Sequence, residues 1–200
     1  MATSGTQLDP RFQECRERCT FAFATATIFQ KRARRYSKYL RRLTFLGLAL
    51  PLAIGGVVGA DLLKKKDVLA AFIWIAGIVG VVQLVVSLWS VVARWPENLE
   101  SSLAASSENS RLTEEFDALA KQVINPPLQF GNDYSKLITQ DNTQRLADEK
   151  QLISDRERMY GHRAALRQFS VKCSECNAVP NSREIPRFVT TRCGTCGGKK

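Results

Sequence analysis

Four cysteines near the C-terminus are the residues whose spacing points most directly to chemistry. Cys173 and Cys176 form one CxxC pair, and Cys193 and Cys196 form a second pair after sixteen intervening residues. Two such pairs supply the four thiolates of a tetrahedral metal site, with Zn²⁺ the first choice and iron the second. Because four cysteines leave no coordination position open for a substrate, the pattern predicts a structural zinc and not a catalytic one.

The segment that carries these cysteines, residues 171–200, is predicted to be a zinc ribbon. Two prolines and the run RFVTTR at 187–192 favour short strands between the pairs. Glycines after the second pair allow backbone amides to approach the sulfur atoms. A segment this small has no core of its own, so metal binding would supply its folding energy.

Outside this segment, no group of residues has the pattern of a catalytic site. His162 is the single histidine, and it lies among arginine and tyrosine without a nucleophile motif nearby. We expect it to be a surface residue with no catalytic role. Cys15 and Cys19 lie four residues apart on an apolar helical seam, and we expect them to pack in a core. The sequence therefore predicts that the protein is not an enzyme.

Two long apolar segments are the elements around which the chain is organised. Leu43–Ala60 runs for eighteen residues without a charge, and Val68–Ala93 runs for twenty-six. As helices they reach roughly 27 and 39 Å, and the hydrocarbon layer of a bilayer is about 30 Å thick. We predict a transmembrane helical hairpin. The alternative, a buried hairpin in a soluble protein, is disfavoured because core helices rarely run so long without a charge.

Charges beside the apolar segments predict their orientation. Residues 31–42, KRARRYSKYLRR, place seven lysines and arginines directly before the first span. The positive-inside rule then puts both termini in the cytoplasm of a bacterial inner membrane and the turn at 61–67 outside. The cysteines would lie in a reducing compartment, where metal binding is favoured over disulfides. The net charge of +10 is concentrated before the first span and near the C-terminus, so it is poor evidence for nucleic-acid binding.

Small residues mark one face on each predicted span. In the first span, Gly55 and Gly59 form a GxxxG motif that is typical of close helix packing. The second span has one small and polar face, with residues at alternating steps of three and four. Two interpretations are open: this face packs on the glycines of the first span, or it lines an oligomeric pore or a self-association seam. We call it the small-polar face, and its residues are Ala76, Gly80, Gln83, Ser87 and Ser90.

Helical periodicity covers most of the remaining chain. One long helix is predicted from Asp9-Pro10 into the first span. A cytoplasmic helix is expected over residues 97–123, and another from Asn132 or Asp133 to about Phe169, each suited to coiled-coil-like pairing with the N-terminal helix. The fold class is therefore an all-α membrane protein with a two-helix hairpin, long cytoplasmic helices and a small zinc ribbon. The predicted parts are 1–42, 43–93, 94–170 and 171–200.

The basic segment 31–42, the two close spans and the helix after RWPENLE (94–100) resemble the SLATT domains over roughly residues 10–125. The paired CxxC tail is similar to tails of small membrane proteins found on mobile elements. The SLATT resemblance implies a bacterial effector of conflict systems that senses nucleotide signals and compromises the membrane by forming pores.

Two functions are carried forward. The first is an oligomeric pore-forming or membrane-perturbing effector. Its cytoplasmic helices and zinc ribbon would gate it. The alternative is a membrane-tethered adaptor, in which the hairpin is only an anchor and the ribbon binds a cytoplasmic protein or nucleic acid. The expected partners are the lipid bilayer, further copies of the chain, and a protein at the ribbon. Basic residues that would serve the adaptor are Arg183, Arg187, Arg192, Lys199 and Lys200.

Overall fold

Five α-helices account for most of the described residues, which in this computed structural model are 10–59, 66–122, 130–186 and 192–198. No strand occurs within those ranges, and the predicted ribbon strand at 187–192 lies outside them except for its last residue. The described chain is therefore all-helical, as expected, with a four-cysteine segment after the last helix. The helices are α1 (Pro10–Gly59), α2 (Lys66–Val92), α3 (Trp95–Gln122), α4 (Phe130–Glu149) and α5 (Asp155–Gln168).

Contacts divide the chain into two compact units. One consists of Met1–Lys31 together with Ser102–Lys200, and the other is Arg32–Ser101. Helix α1 begins at Pro10, whose fixed φ suits the first turn of a helix, and it continues without interruption to Gly59. The prediction of one long helix that includes most of the first apolar segment is confirmed.

The core of the first unit is formed where α1, α3 and α4 pack together. Residues at three- and four-residue steps on α1 meet the corresponding face of α3, because this spacing puts them on one side of a helix. The expected pairing of the N-terminal helix with both later helices is confirmed. The buried core residues are Cys15, Cys19, Ala22, Leu112, Phe116, Leu119, Ala120, Phe130 and Leu137.

The last predicted helix is interrupted, so its prediction as one element was wrong. Helix α4 ends at Glu149 and α5 begins at Asp155, and Leu152 between them has a φ of 44° and is 86% exposed. The Glu157 side chain accepts a hydrogen bond from the backbone N–H of Ser154 (3.0 Å), which fixes the start of α5. The coiled-coil-like face that we expected along this single helix is therefore interrupted at the break.

The second unit contains the apolar helix α2. Its segment Ile73–Val92 is long and apolar enough to cross a membrane, and it is the one such segment among the described residues. Helix α2 ends at a turn in which Arg94 has a φ of 51°. The Asn98 side-chain amide donates to the Ala93 carbonyl (3.1 Å). Carbonyls at the end of a helix have no partner within that helix, so this bond satisfies one of them.

Candidate metal centre

The four cysteine sulfurs of the C-terminal segment lie in one cluster, within 4.8 Å of one another. The Sγ atoms of Cys173 and Cys193 are 3.7 Å apart, and those of Cys176 and Cys196 are 3.6 Å apart. A disulfide joins its sulfurs at about 2.05 Å, so these pairs are not bonded. A tetrahedral Zn²⁺ with Zn–S bonds of about 2.3 Å places its sulfurs about 3.8 Å apart. The spacing therefore fits a four-coordinate metal site.

Both CxxC pairs adopt the same backbone turn. The N–H of Asn177 donates to the Cys173 carbonyl, and the N–H of Gly197 donates to the Cys193 carbonyl, each at 2.9 Å. In each turn, the N–H of the first cysteine donates to the carbonyl two residues beyond the second cysteine (3.1 and 2.9 Å). Asn177 and Gly197 have φ values of 53° and 64°, in the left-handed region that asparagine and glycine tolerate best. Asparagine and glycine at equivalent positions were a sequence signal for this turn.

Glu175 ties the first cysteine turn to the second. Its Oε2 accepts from the backbone N–H of Thr195 (3.0 Å) and from the Thr195 hydroxyl (3.1 Å). The same oxygen lies 3.1 Å from Cys193 Sγ. One carboxylate thus fixes the separation of the two turns, beside the sulfurs that would bind a metal.

Helix α5 holds the cysteine segment through Arg163 and Leu166. The Arg163 Nε donates to the Ser182 carbonyl (2.8 Å), and its Nη1 donates to the Cys196 carbonyl (3.4 Å). Leu166 packs with three of the four cysteines in a small apolar cluster. No sequence pattern predicted the contacts of these two residues with the cysteine segment. The contacts depend on how the chain folds back from the cysteines onto α5.

The surroundings of Cys196 oppose ionisation of its thiol unless a cation is present. Burial raises the pKa of Cys196 to about 12, and hydrogen bonds from the neighbouring thiols act in the same direction. The backbone N–H of Gly198 donates to Cys196 and lowers that pKa. This is the predicted approach of a glycine amide to sulfur. A divalent metal would supply the positive charge that stabilises four thiolates together.

His162 was expected at the surface, and the structure places it half-buried. Its Nδ1 is buried without a hydrogen-bond partner among the described residues, and burial lowers the pKa of the imidazole. The ring lies against Phe21, with centroids 5.7 Å apart. Packing of α5 against Phe21 of α1, which the local sequence does not encode, covers part of this side chain.

Cys15 and Cys19 pack in the helical core, as expected. Both are buried among residues of α1, α3 and α4, in a different cluster from the four C-terminal cysteines. The Cys19 thiol donates to the Thr113 carbonyl (3.4 Å). Burial raises the pKa of Cys19 to about 11, so this thiol stays protonated and unreactive.

The small-polar face of α2 is the side of that helix with the least solvent exposure. Its five residues are half-buried or buried, whereas every other residue from Ile73 to Val92 is exposed. A Cβ added to Gly47 of α1 would lie 3.1 Å from Gln83 Nε2, so the two helices meet there. Gly55 and Gly59 lie within α1, but their surroundings fall outside the side chains that the structure describes.

Comparison with known families shows a match over nearly the whole chain. The family described as "Mobilome CxxCx(11)CxxC protein" matches residues 12–199. No curated protein and no solved structure matches the chain. The spacer between the two CxxC pairs has sixteen residues here, against the eleven in the family description. The match covers all five helices and both cysteine pairs, and the chain belongs to this mobilome CxxC–CxxC family.

Proposed function

We propose that the protein is a membrane-anchored docking protein whose metal-stabilised cysteine segment binds a cytoplasmic protein partner. Two helical segments, 43–60 and 68–93, would form the membrane hairpin, with both termini in the cytoplasm. This is the SLATT-like arrangement that residues 10–125 resemble. The basic residues 31–42 support it, because they would lie among anionic lipid headgroups at the cytoplasmic surface.

Zinc is the metal that we propose for the cysteine cluster, in a structural role. The sulfur separations of 3.6 and 3.7 Å support a tetrahedral site, and four thiolate ligands leave no position for a reacting molecule. No helix follows Gln168 within 169–186 or 192–198, so the metal would fix the conformation of the segment. The folded segment would then present the docking surface.

The single observation that carries this proposal is the partial burial of the small-polar face of α2 within one chain. Polar side chains in a bilayer turn toward protein or water. Within one chain, Gln83 already lies against Gly47 of α1, and the exposed sides of α2 are rich in isoleucine, valine, leucine and tryptophan. Gln83 therefore has a protein neighbour within the chain, and Ser90 is buried there without a second copy. An anchor accounts for this better than a pore lined by the same face.

Dye release from lipid vesicles tests the anchor against the pore. We expect purified full-length protein to leave dye-loaded vesicles intact at protein-to-lipid ratios where a known pore former empties them. The double variant Gln83→Leu, Ser87→Leu is expected to behave the same way. A matched control, Val81→Leu with Val85→Leu, changes the exposed side. The anchor proposal would be overturned in favour of the pore-forming effector by the following result. The wild type and the Val81/Val85 control release the dye, and the Gln83/Ser87 variant does not.

Chemical cross-linking in intact cells tests the docking half of the proposal. Replacing residues 43–93 by an unrelated two-span hairpin is expected to leave the cross-linked adducts between the protein and its cytoplasmic partner unchanged. Cys193→Ser is expected to remove them, because the unfolded segment would lose its docking surface. Adducts that disappear with the hairpin replacement, although the chain stays in the membrane, would contradict a role for the hairpin as an anchor alone.

A further inference from the structure

Arg163 is a buried cation without a carboxylate partner among the described residues. The residue is 7% exposed, and its guanidinium donates hydrogen bonds to the neutral carbonyls of Ser182 and Cys196. Burying a charge without an opposite charge is strongly unfavourable. Carbonyl acceptors satisfy the N–H groups but leave the net charge uncompensated. The position of Arg163 therefore calls for a negative group nearby.

The four-cysteine cluster lies beside this guanidinium. A Cβ built on Gly198 would be 3.3 Å from Arg163 Nη1 and 3.3 Å from Cys196 Sγ, so those two atoms are less than about 7 Å apart. As neutral thiols the cysteines offer no compensating charge. Four thiolates around a divalent ion carry a net charge of −2, at a distance where a partly buried pair interacts with little screening.

We propose that Arg163 is the internal counter-charge of an anionic tetrathiolate centre that binds a divalent metal ion. The inference rests on the structural metal proposed above and adds a residue from α5 that positions and stabilises the centre. Arg163 touches the backbone of a ligand and not the metal, so it is a positioning residue. Its charge would raise metal affinity and make the bound thiolates less reactive toward electrophiles.

Glu175 is a second charged residue beside the cysteine cluster. Its carboxylate is exposed, is hydrogen-bonded to Thr195 and lies 3.1 Å from Cys193 Sγ, on a ligand other than the one that Arg163 contacts. It adds negative charge beside a centre that is already anionic once loaded. Arg163, which donates to the carbonyl of Cys196, brings positive charge to the same cluster.

Zinc competition on the full-length protein in detergent tests the proposal. We expect Arg163→Gln to weaken zinc affinity roughly 10- to 100-fold against a chromophoric chelator and to speed alkylation of the zinc-loaded cysteines. Arg163→Lys loses the pair of hydrogen bonds to Ser182 and Cys196 but keeps the charge. Because the charge is retained, we expect this variant to keep most of the zinc affinity. Arg167→Gln, an exposed arginine one turn further along α5, is the matched control and should match the wild type.

The outcomes separate this inference from the proposal of a metal site. Wild-type protein that binds no zinc at one ion per chain would overturn the metal site itself. If the wild type binds zinc and Arg163→Gln binds it with the same affinity, only the proposal that Arg163 is a counter-charge would be overturned. If Arg163→Gln does not fold, Arg163→Lys decides: a folded lysine variant with a loss greater than about 100-fold would mean that hydrogen bonding, and not charge, is what Arg163 provides.

Discussion

Each cysteine turn depends on one residue with a positive φ. Asn177 serves the first turn and Gly197 serves the second, and their N–H groups close the turns onto the carbonyls of Cys173 and Cys193. A side chain at Gly197 would also meet Ile185 at 3.1 Å. Metal affinity therefore depends on residues that supply no ligand atom, because the turn directs both sulfurs of a pair toward one point.

Gly197→Ala is expected to weaken metal binding by destabilising this turn. The left-handed conformation costs a residue with a Cβ about 1–2 kcal/mol, which corresponds to roughly a 5- to 30-fold lower affinity. Chelator titration of the full-length protein measures it. Gly194→Ala is the control, because its φ is not positive and the nearest atom to its Cβ is an ordinary 3.4 Å contact. Equal affinities for the two variants would contradict this role for Gly197.

His162 is expected to make stability depend on pH. Burial lowers the pKa of its imidazole below the ordinary 6.5, so in mildly acidic solution the unfolded chain binds a proton that the folded chain does not. Stability should therefore fall as the pH drops below about 6.5 toward the lower folded pKa. The Arg145 guanidinium lies over the same Phe21 ring that His162 contacts.

Thermal unfolding of the wild type and His162→Gln in detergent, between pH 7.5 and 5.5, measures this dependence. The melting temperature of the wild type should fall more steeply with acidification than that of the variant. Comparing the two chains cancels acid release of metal, because both contain the same cysteine cluster. Parallel curves would show that the imidazole titrates alike in the folded and unfolded chains.

At the scale of elements, close packing of α5 on α1 depends on Gly161. A Cβ there would lie 2.7 Å from the Ala24 carbonyl oxygen and 2.7 Å from Ile28 Cδ1. The obstructing oxygen belongs to the helix backbone, so α1 or α5 would have to move. Gly161 is thus the residue that allows α5, with Arg163 and Leu166, to lie where it supports the cysteine segment.

Gly161→Ala is expected to destabilise the protein by about 1–3 kcal/mol despite the better helix propensity of alanine. Gly131→Ala in α4 is the matched control, because nothing lies within 4 Å of its added Cβ. That variant should be neutral or more stable by up to about 1 kcal/mol. Thermal unfolding followed by circular dichroism compares them, and an unchanged midpoint for Gly161→Ala would contradict the close approach.

Sequence patterns predicted the elements whose signals are local. Periodicity from Phe12 onward predicted α1 and its packing partners, and the CxxC spacing predicted which cysteines cluster. The α4–α5 break was missed because neither glycine nor proline marks it, although Ser154 and Glu157 have the spacing of a helix N-terminus. Arg163 and Gly161 were missed because their roles arise from contacts between segments far apart in sequence.

For the whole molecule, removing the metal is expected to unfold the cysteine segment and spare the helical core. The buried cluster of α1, α3 and α4 contains no residue of the four-cysteine site. Treatment with a strong chelator should therefore change the helical circular dichroism signal little, while limited proteolysis between residues 172 and 198 becomes fast. Loss of most of the helical signal would mean that the core depends on the metal.

Separate closure of the two cysteine turns has a consequence for variation within the family. Each turn is completed by its own backbone hydrogen bonds, so the length of the linker after Ala178 can change without breaking them. Lengthening that linker from eleven to sixteen residues costs only about 0.3 kcal/mol of closure entropy. One exposed ion pair, such as Lys31–Glu184 at 3.2 Å, is worth about as much. We therefore expect insertions in this linker, away from the contacts of Ser182 and Ile185, to change the stability of the metal site little.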